Sequence, residues 1–175
     1  MDNFVVGANF ELMAFLRSLH VSFRGIWISG ARASGRSHLL RACCSAATQT
    51  GRQAIYIDCA APESDWSAEV QCAMDVSSAS NAFVAMDNLG RLKGHKQHEE
   101  ALMSIYQTLH AVDGEMLVSH DQSALGVEYD LPDLNSRMRG FAHFSLAPLQ
   151  DHGKAEVLTR RARAKGYDLP DAVVE

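Results

Sequence analysis

Ile26-Trp27-Ile28-Ser29-Gly30-Ala31-Arg32-Ala33-Ser34-Gly35-Arg36-Ser37-His38-Leu39-Leu40 is the stretch on which the reading of the fold turns. Four residues of strand character run into a glycine-bounded turn, and a helical apolar stripe begins where the turn ends. From Gly30 to Ser37 the spacing is that of a Walker A phosphate loop, with Arg36 at the usual lysine position. In a strand-to-helix turn of this kind the backbone N–H groups and the positive helix terminus converge on a phosphate. Gly30 and Gly35 permit the turn and a close backbone approach, Ala33 and Ser34 lie inside it, and the Ser37 hydroxyl is placed to ligate magnesium. Arg36 supplies the cation. Its planar fork keeps the charge but not the shape of an ammonium, so phosphate binding is expected to survive the exchange better than γ-phosphoryl transfer.

Outward from the loop, short apolar runs alternate with longer amphipathic stretches, the pattern of strands exchanged with helices around a mostly parallel sheet. Residues 26–29 read as the first strand and 37–50 as the helix after it, with Leu39, Leu40, Cys43, Cys44, Ala46 and Ala47 on one side. Residues 54–57 and 82–86 are the next strands, and the unbroken apolar character of 82–86 fits a strand covered on both faces. Residues 98–112 read as a helix ending before Gly114, residues 115–119 as a fourth strand and 143–146 as a fifth. A loop holds Leu131-Pro132-Asp133-Leu134, and a basic helix closes the pattern at 151–165.

Asp87 stands at the carboxyl end of the apolar run 82–86, where a Walker B carboxylate organises magnesium and its water. Read alone, an Asp after a strand is more often a helix cap or turn residue. Asn88 follows, and an amide cannot serve as a general base. Ser119, at the end of the fourth strand, is either a polar sensor of the γ-phosphate or a strand-end hydroxyl, with Asp121 as a second sensor candidate. Ser119-His120-Asp121 is not a hydrolase triad, because neighbouring strand residues face opposite sides.

The 175 residues, 47% of them apolar, suffice for one core and the start of another domain. A formal charge of -5 argues against a bare electrostatic grip on nucleic acid, so any contact with DNA is expected to be indirect. Neither a membrane span nor a secretory signal is read, which makes the cytoplasm the default. Cys43, Cys44, Cys59 and Cys72 lack paired ligand spacing and read as reduced thiols. His95 and His98 with Glu99 and Glu100 read as a solvated face rather than a metal cluster, and so do Arg160, Arg161, Arg163 and Lys165.

Taken together, these motifs resemble the AAA+ family of the bacterial replication initiator DnaA, and most closely its shorter, Hda-type regulatory branch. Residues 2–7 resemble the amino-terminal box that packs on adenine in this family, which implies nucleotide contacts at Val5 and Val6. Gly35-Arg36-Ser37-His38-Leu39-Leu40 is similar to the Hda-type phosphate loop, arginine included, and Met86-Asp87-Asn88 is similar to its Walker B strand end. Residues 131–138 resemble box VII and carry Arg137 onto the arginine finger that reaches a neighbouring subunit's nucleotide. The resemblance implies an AAA+ core at 1–148 with strand order 5-1-4-3-2 and helices on both faces, and the first part of a helical lid at 149–175. It further implies ADP or ATP with Mg2+, and weak or absent hydrolysis by the chain itself. Arg137 would act on ATP held by a DnaA-type initiator. The family's sensor II arginine and the peptide that binds the DNA polymerase sliding clamp are not in this sequence, so clamp binding and homo-oligomers stay open. Two alternatives remain: a self-acting ATPase of initiator or helicase-loader type, and an interaction module without nucleotide.

Overall fold

A computed structural model describes residues 9–18, 22–61, 63–149, 151–164 and 166–167. Five strands, β1 (Arg24–Ser29), β2 (Ala54–Asp58), β3 (Phe83–Asp87), β4 (Glu115–His120) and β5 (Ala142–Ser145), form one sheet in the order β2-β3-β4-β1-β5. Every adjacent pair is parallel. Read from the other edge this is the expected order 5-1-4-3-2, and the sheet is parallel throughout rather than mostly so. Among the described residues six α-helices accompany it: α1 (Phe10–Arg17), α2 (Arg36–Gln49), α3 (Glu63–Ser77), α4 (Lys96–Ala111), α5 (Pro132–Arg139) and α6 (Asp151–Ala164).

Strand alternation divides the core between the two faces of the sheet. Ile26, Ile28, Phe83, Ala85 and Leu117 pack with Leu12, Met13 and Leu16 of α1 and with Leu39, Leu40 and Cys43 of α2. Trp27, Val84, Met86, Met116 and Val118 point the other way, against Ala73 of α3, Leu102, Ile105 and Leu109 of α4, and Leu134 and Met138 of α5. The central strands β3 and β4 are buried along their whole length, which is why residues 82–86 read as a continuous apolar run and why even Glu115, Ser119 and His120 of β4 lie out of water.

Helices α1 and α3 add to the elements expected from the sequence. The segment expected as a loop around Pro132 proves to be the start of α5, because proline at the first helical position surrenders only an N–H that has no partner there.

At the amino ends of the strands a buried ion cluster holds the sheet in register. Glu115 accepts from Arg24 Nε at 3.0 Å and Nη2, and from Arg52 Nη1 at 2.7 Å. Arg24 Nη1 also donates to the Phe15 carbonyl, and Arg52 Nη2 to the Ala82 carbonyl, so the cluster binds α1, β1, β4 and the segments before β2 and β3. Glu115 is 2% exposed, and removing it leaves two guanidinium groups in a site with little water. Glu115→Ala is expected to lower the unfolding free energy by about 3 kcal/mol in urea denaturation; a loss under about 1 kcal/mol would mean the cluster is effectively solvated.

Candidate nucleotide site

Parallel strands deliver their carboxyl ends to one edge of the sheet, and β1, β3 and β4 bring the phosphate loop, Asp87 and Ser119 there together. The loop turns through two left-handed residues, Ala33 (φ 64) and Gly35 (φ 99). A Cβ on Gly35 would meet open space, so its need for glycine is conformational. At Gly30 the need is spatial: a Cβ there would lie 2.8 Å from Ser34 Oγ and 3.1 Å from the Leu146 carbonyl.

Helix α2 starts at once, with Leu39 N–H donating to the Gly35 carbonyl at 2.9 Å, and no side chain caps its first turn. Ser34 Oγ and Arg36 Nη1 are buried and make no hydrogen bond. Each such donor costs about 1–3 kcal/mol when it lacks an acceptor. The loop therefore presents two buried donors that lack acceptor oxygens.

Asp87 is fully buried at the end of β3. Its Oδ1 accepts from Ser119 Oγ and from the Asn88 N–H at 3.0 Å, and its Oδ2 accepts from the Tyr56 hydroxyl at 2.8 Å. Burial, and then the bond to Asp87, push the Tyr56 phenol well above its ordinary value and keep it a donor. Arg41 of α2 lies over the Tyr56 ring, 4.7 Å from its centroid. Asn88 adopts left-handed backbone (φ 58, ψ 43), and its Nδ2 donates to Asp58 Oδ1 at 2.8 Å. Tyr56 and Asp58 escaped the sequence reading because a strand-edge phenol and a strand-end Asp carry no motif until the strand order is known.

Two neighbouring clefts meet at this edge. One, of about 460 Å3, is lined by Arg32, Ala33, Gly35, Arg36, Ser37, His38, Arg41 and Asn88. The other, of about 630 Å3, carries Arg32, Arg36, Arg91 and Lys93 around His120 and Val127. Ser37 is exposed and fits a magnesium ligand directly, whereas three donors already occupy Asp87 and leave it a link through water. Val5 and Val6 lie outside the described residues.

Arg137 is exposed on α5, with its guanidinium 5.8 Å from the Tyr106 ring centroid. It lines a third cleft, with Arg24, Gly25 and Ala142 at the amino ends of β1 and β5. The structure thus keeps Arg137 apart from the chain's own phosphate loop. His95 and His98 stack at 5.2 Å, His98 meets Trp66 at 4.6 Å, and among the described residues no group of His, Cys, Asp and Glu side chains is arranged to hold a metal.

His120 sits beside the phosphate loop, stacked on Trp27 at 5.3 Å, with its Nδ1 accepting from the Gln122 N–H at 2.8 Å. Burial lowers its pKa, partly offset by the Asp121 carboxylate and reinforced by Arg36 and Lys93. A folded-state pKa below the unfolded value means that the unfolded chain takes up the proton first, so stability is lost as pH falls below the usual histidine range. Urea midpoints at pH 7.5 and 5.5 should fall further for the unchanged protein than for His120→Gln; equal falls would show that the ring does not titrate against folding.

No protein-family model matches the chain. Its fold is similar to that of solved replication proteins. A DNA replication initiation factor superposes over 99% of this chain at a TM-score of 0.77 and 19% identity. DnaA bound to AMPPCP and single-stranded DNA gives 0.73 and 18%, also over 99%. Domain III of the Thermotoga maritima replication initiation protein DnaA gives 0.79 and 16% over 99%. The chain spans 56% and 57% of the first two and 77% of the third. Among the described residues no helix is long and apolar enough to cross a membrane. The chain has a DnaA-like AAA+ fold.

Proposed function

We propose that this chain is a DnaA-related nucleotide-binding regulator of Hda type, which holds ADP or ATP at residues 30–38 and offers Arg137 to ATP on a DnaA-type initiator. The observation that carries the nucleotide half is the pair of buried, unpartnered donors at the loop, Ser34 Oγ and Arg36 Nη1, beside the uncapped start of α2. Phosphate oxygens would accept from both, with the amides of Gly35 to His38 beneath them. Ser37 would hold magnesium directly and Asp87 would orient it through water, while Ser119 fixes the Asp87 carboxylate. When bound, the metal would neutralise charge on the terminal phosphates. Adenine would rest on Val5 and Val6.

Hydrolysis by the chain itself is the weaker part of its chemistry, since Asn88 provides an amide where a water-activating carboxylate is needed. The regulatory half is supported by the position of Arg137. It is exposed, rests on Tyr106, and lies at the amino-end cleft instead of at its own loop, as a residue acting on a neighbour's nucleotide must. A guanidinium delivered in trans stabilises charge on the transferring phosphoryl group.

Thermal unfolding with ADP and magnesium tests the first half. At about 100 times the dissociation constant the ligand should add roughly 2.7 kcal/mol, a rise of about 5–10 °C for a chain of this size. Arg36→Ala and Ser37→Ala should lose that rise. No shift at saturating ADP or ATP would leave a protein-interaction module as the reading. Arg137→Ala should keep the shift but lower stimulated ATP hydrolysis on DnaA by at least about 100-fold, given what arginine fingers contribute elsewhere; unchanged stimulation would remove Arg137 from the mechanism.

A further inference from the structure

Beside a phosphate loop, a carboxylate that orients the attacking water and takes its proton speeds hydrolysis beyond what a neutral amide can do as a base. In this chain a carboxylate of suitable length stands one strand away. Asp58 ends β2 and is the register partner of Asp87. Its Oδ1 accepts from Asn88 Nδ2 at 2.8 Å and from the Ala60 N–H at 3.0 Å. Asn88 lines both clefts at the loop, whereas Asp58 lines neither. The amide therefore occupies the cleft position and the carboxylate is held behind it.

The surroundings reinforce this arrangement. Asn88 is pinned by its N–H bonds to Asp87 Oδ1 and to Ser119 Oγ at 3.1 Å, and its left-handed backbone is one that Asn tolerates better than most residues. Asp87 on β3, Tyr56 on β2, Arg41 over the Tyr56 ring and Cys59 next in the chain are charged or titratable groups beside the pair, and Arg32 and Arg36 share both of the clefts that Asn88 lines. The Asn88 amide and the Ala60 amide are what hold that carboxylate.

We propose that Asp58 and Asn88 form an exchanged carboxylate–amide pair that keeps this nucleotide site from hydrolysing, with Asp58 as the positioning residue that fixes Asn88. This rests on the nucleotide-binding reading given above. Aspartate and asparagine are nearly the same shape, and one hydrogen bond joins the pair whichever strand carries the charge. Exchanging them preserves net charge and packing while moving the carboxylate into the cleft. There it accepts a proton from water as the water oxygen bonds the γ-phosphorus. The bond from phosphorus to the β–γ bridging oxygen breaks, and its electron pair leaves on ADP, giving ADP, phosphate and one proton.

The experiment compares the full chain with D58N, N88D and D58N/N88D, measuring urea midpoint, the thermal shift with ADP and single-turnover ATP hydrolysis. N88D should be the least stable, because two carboxylates meet, and D58N/N88D should return close to the unchanged protein. D58N/N88D should bind ADP as before and hydrolyse ATP at least 10-fold faster than either the unchanged chain or D58N. An exchange variant that keeps the ADP shift but gains no hydrolysis overturns the proposal. So does N88D if, alone, it is as stable as the unchanged protein and as active as the double variant, since Asp58 would then be irrelevant. Absence of an ADP shift in the unchanged protein overturns the nucleotide reading itself, and this inference with it.

Discussion

A carboxylate removed completely from water must be surrounded by donors, and Asp87 meets that requirement by drawing on both neighbouring strands. Tyr56 reaches it from β2 and Ser119 from β4, while the next backbone N–H folds back onto it. Strands β2, β3 and β4 are thereby fixed at the loop end of the sheet relative to one buried charge. The left-handed turn at Asn88 follows from the same demand, since its N–H points back at Asp87 and its side chain then crosses to β2. Placement of the carboxylate and the amide at this edge is thus a consequence of how one anion is satisfied.

The opposite end of the sheet solves a similar problem with ions instead of hydroxyls. Glu115 carries two arginines, and their spare donors tie down the carbonyls of Phe15 and Ala82. Arg24, Arg52 and Glu115 are paired among themselves at the amino ends. At the carboxyl ends Arg32, Arg36, Arg91 and Lys93 line an open cleft in a protein of net charge -5. Local field, rather than net charge, governs what such a cleft attracts. The Glu115 cluster and this basic cleft lie at opposite ends of the sheet.

This separation also gives the molecule two working ends. At the carboxyl edge the glycine-bounded loop, Asp87 and Ser119 converge. Arg137 lies at the amino-end cleft beside Tyr106, apart from that loop. In the regulator proposed above, one end would retain a ligand while the other acts on that of a partner.

Much of this was legible in the chain alone. The apolar run at 82–86 marked a strand covered on both faces because such a strand need not alternate apolar with polar residues. The tight turn at 30–37 between β1 and α2 was visible in its glycines. Helix α3 offered a signal that the reading passed over, in Trp66, Val70, Ala73 and Met74 at helical intervals, as did α1 in Leu12, Met13 and Leu16. Helix α5 was obscured by Pro132, which ends helices in their interior but starts them at their first position.

What sequence determined by itself is therefore local: which segments form strands and helices, and where glycines allow the chain to turn tightly between them. Tertiary structure alone decided the pairings across strands. Tyr56 on Asp87 and Asp58 under Asn88 are about 30 residues apart in the chain, and they meet because β2 and β3 are adjacent and in register. No local pattern encodes such a meeting, since hydrogen bonds between strands depend on which strands the folded core places side by side.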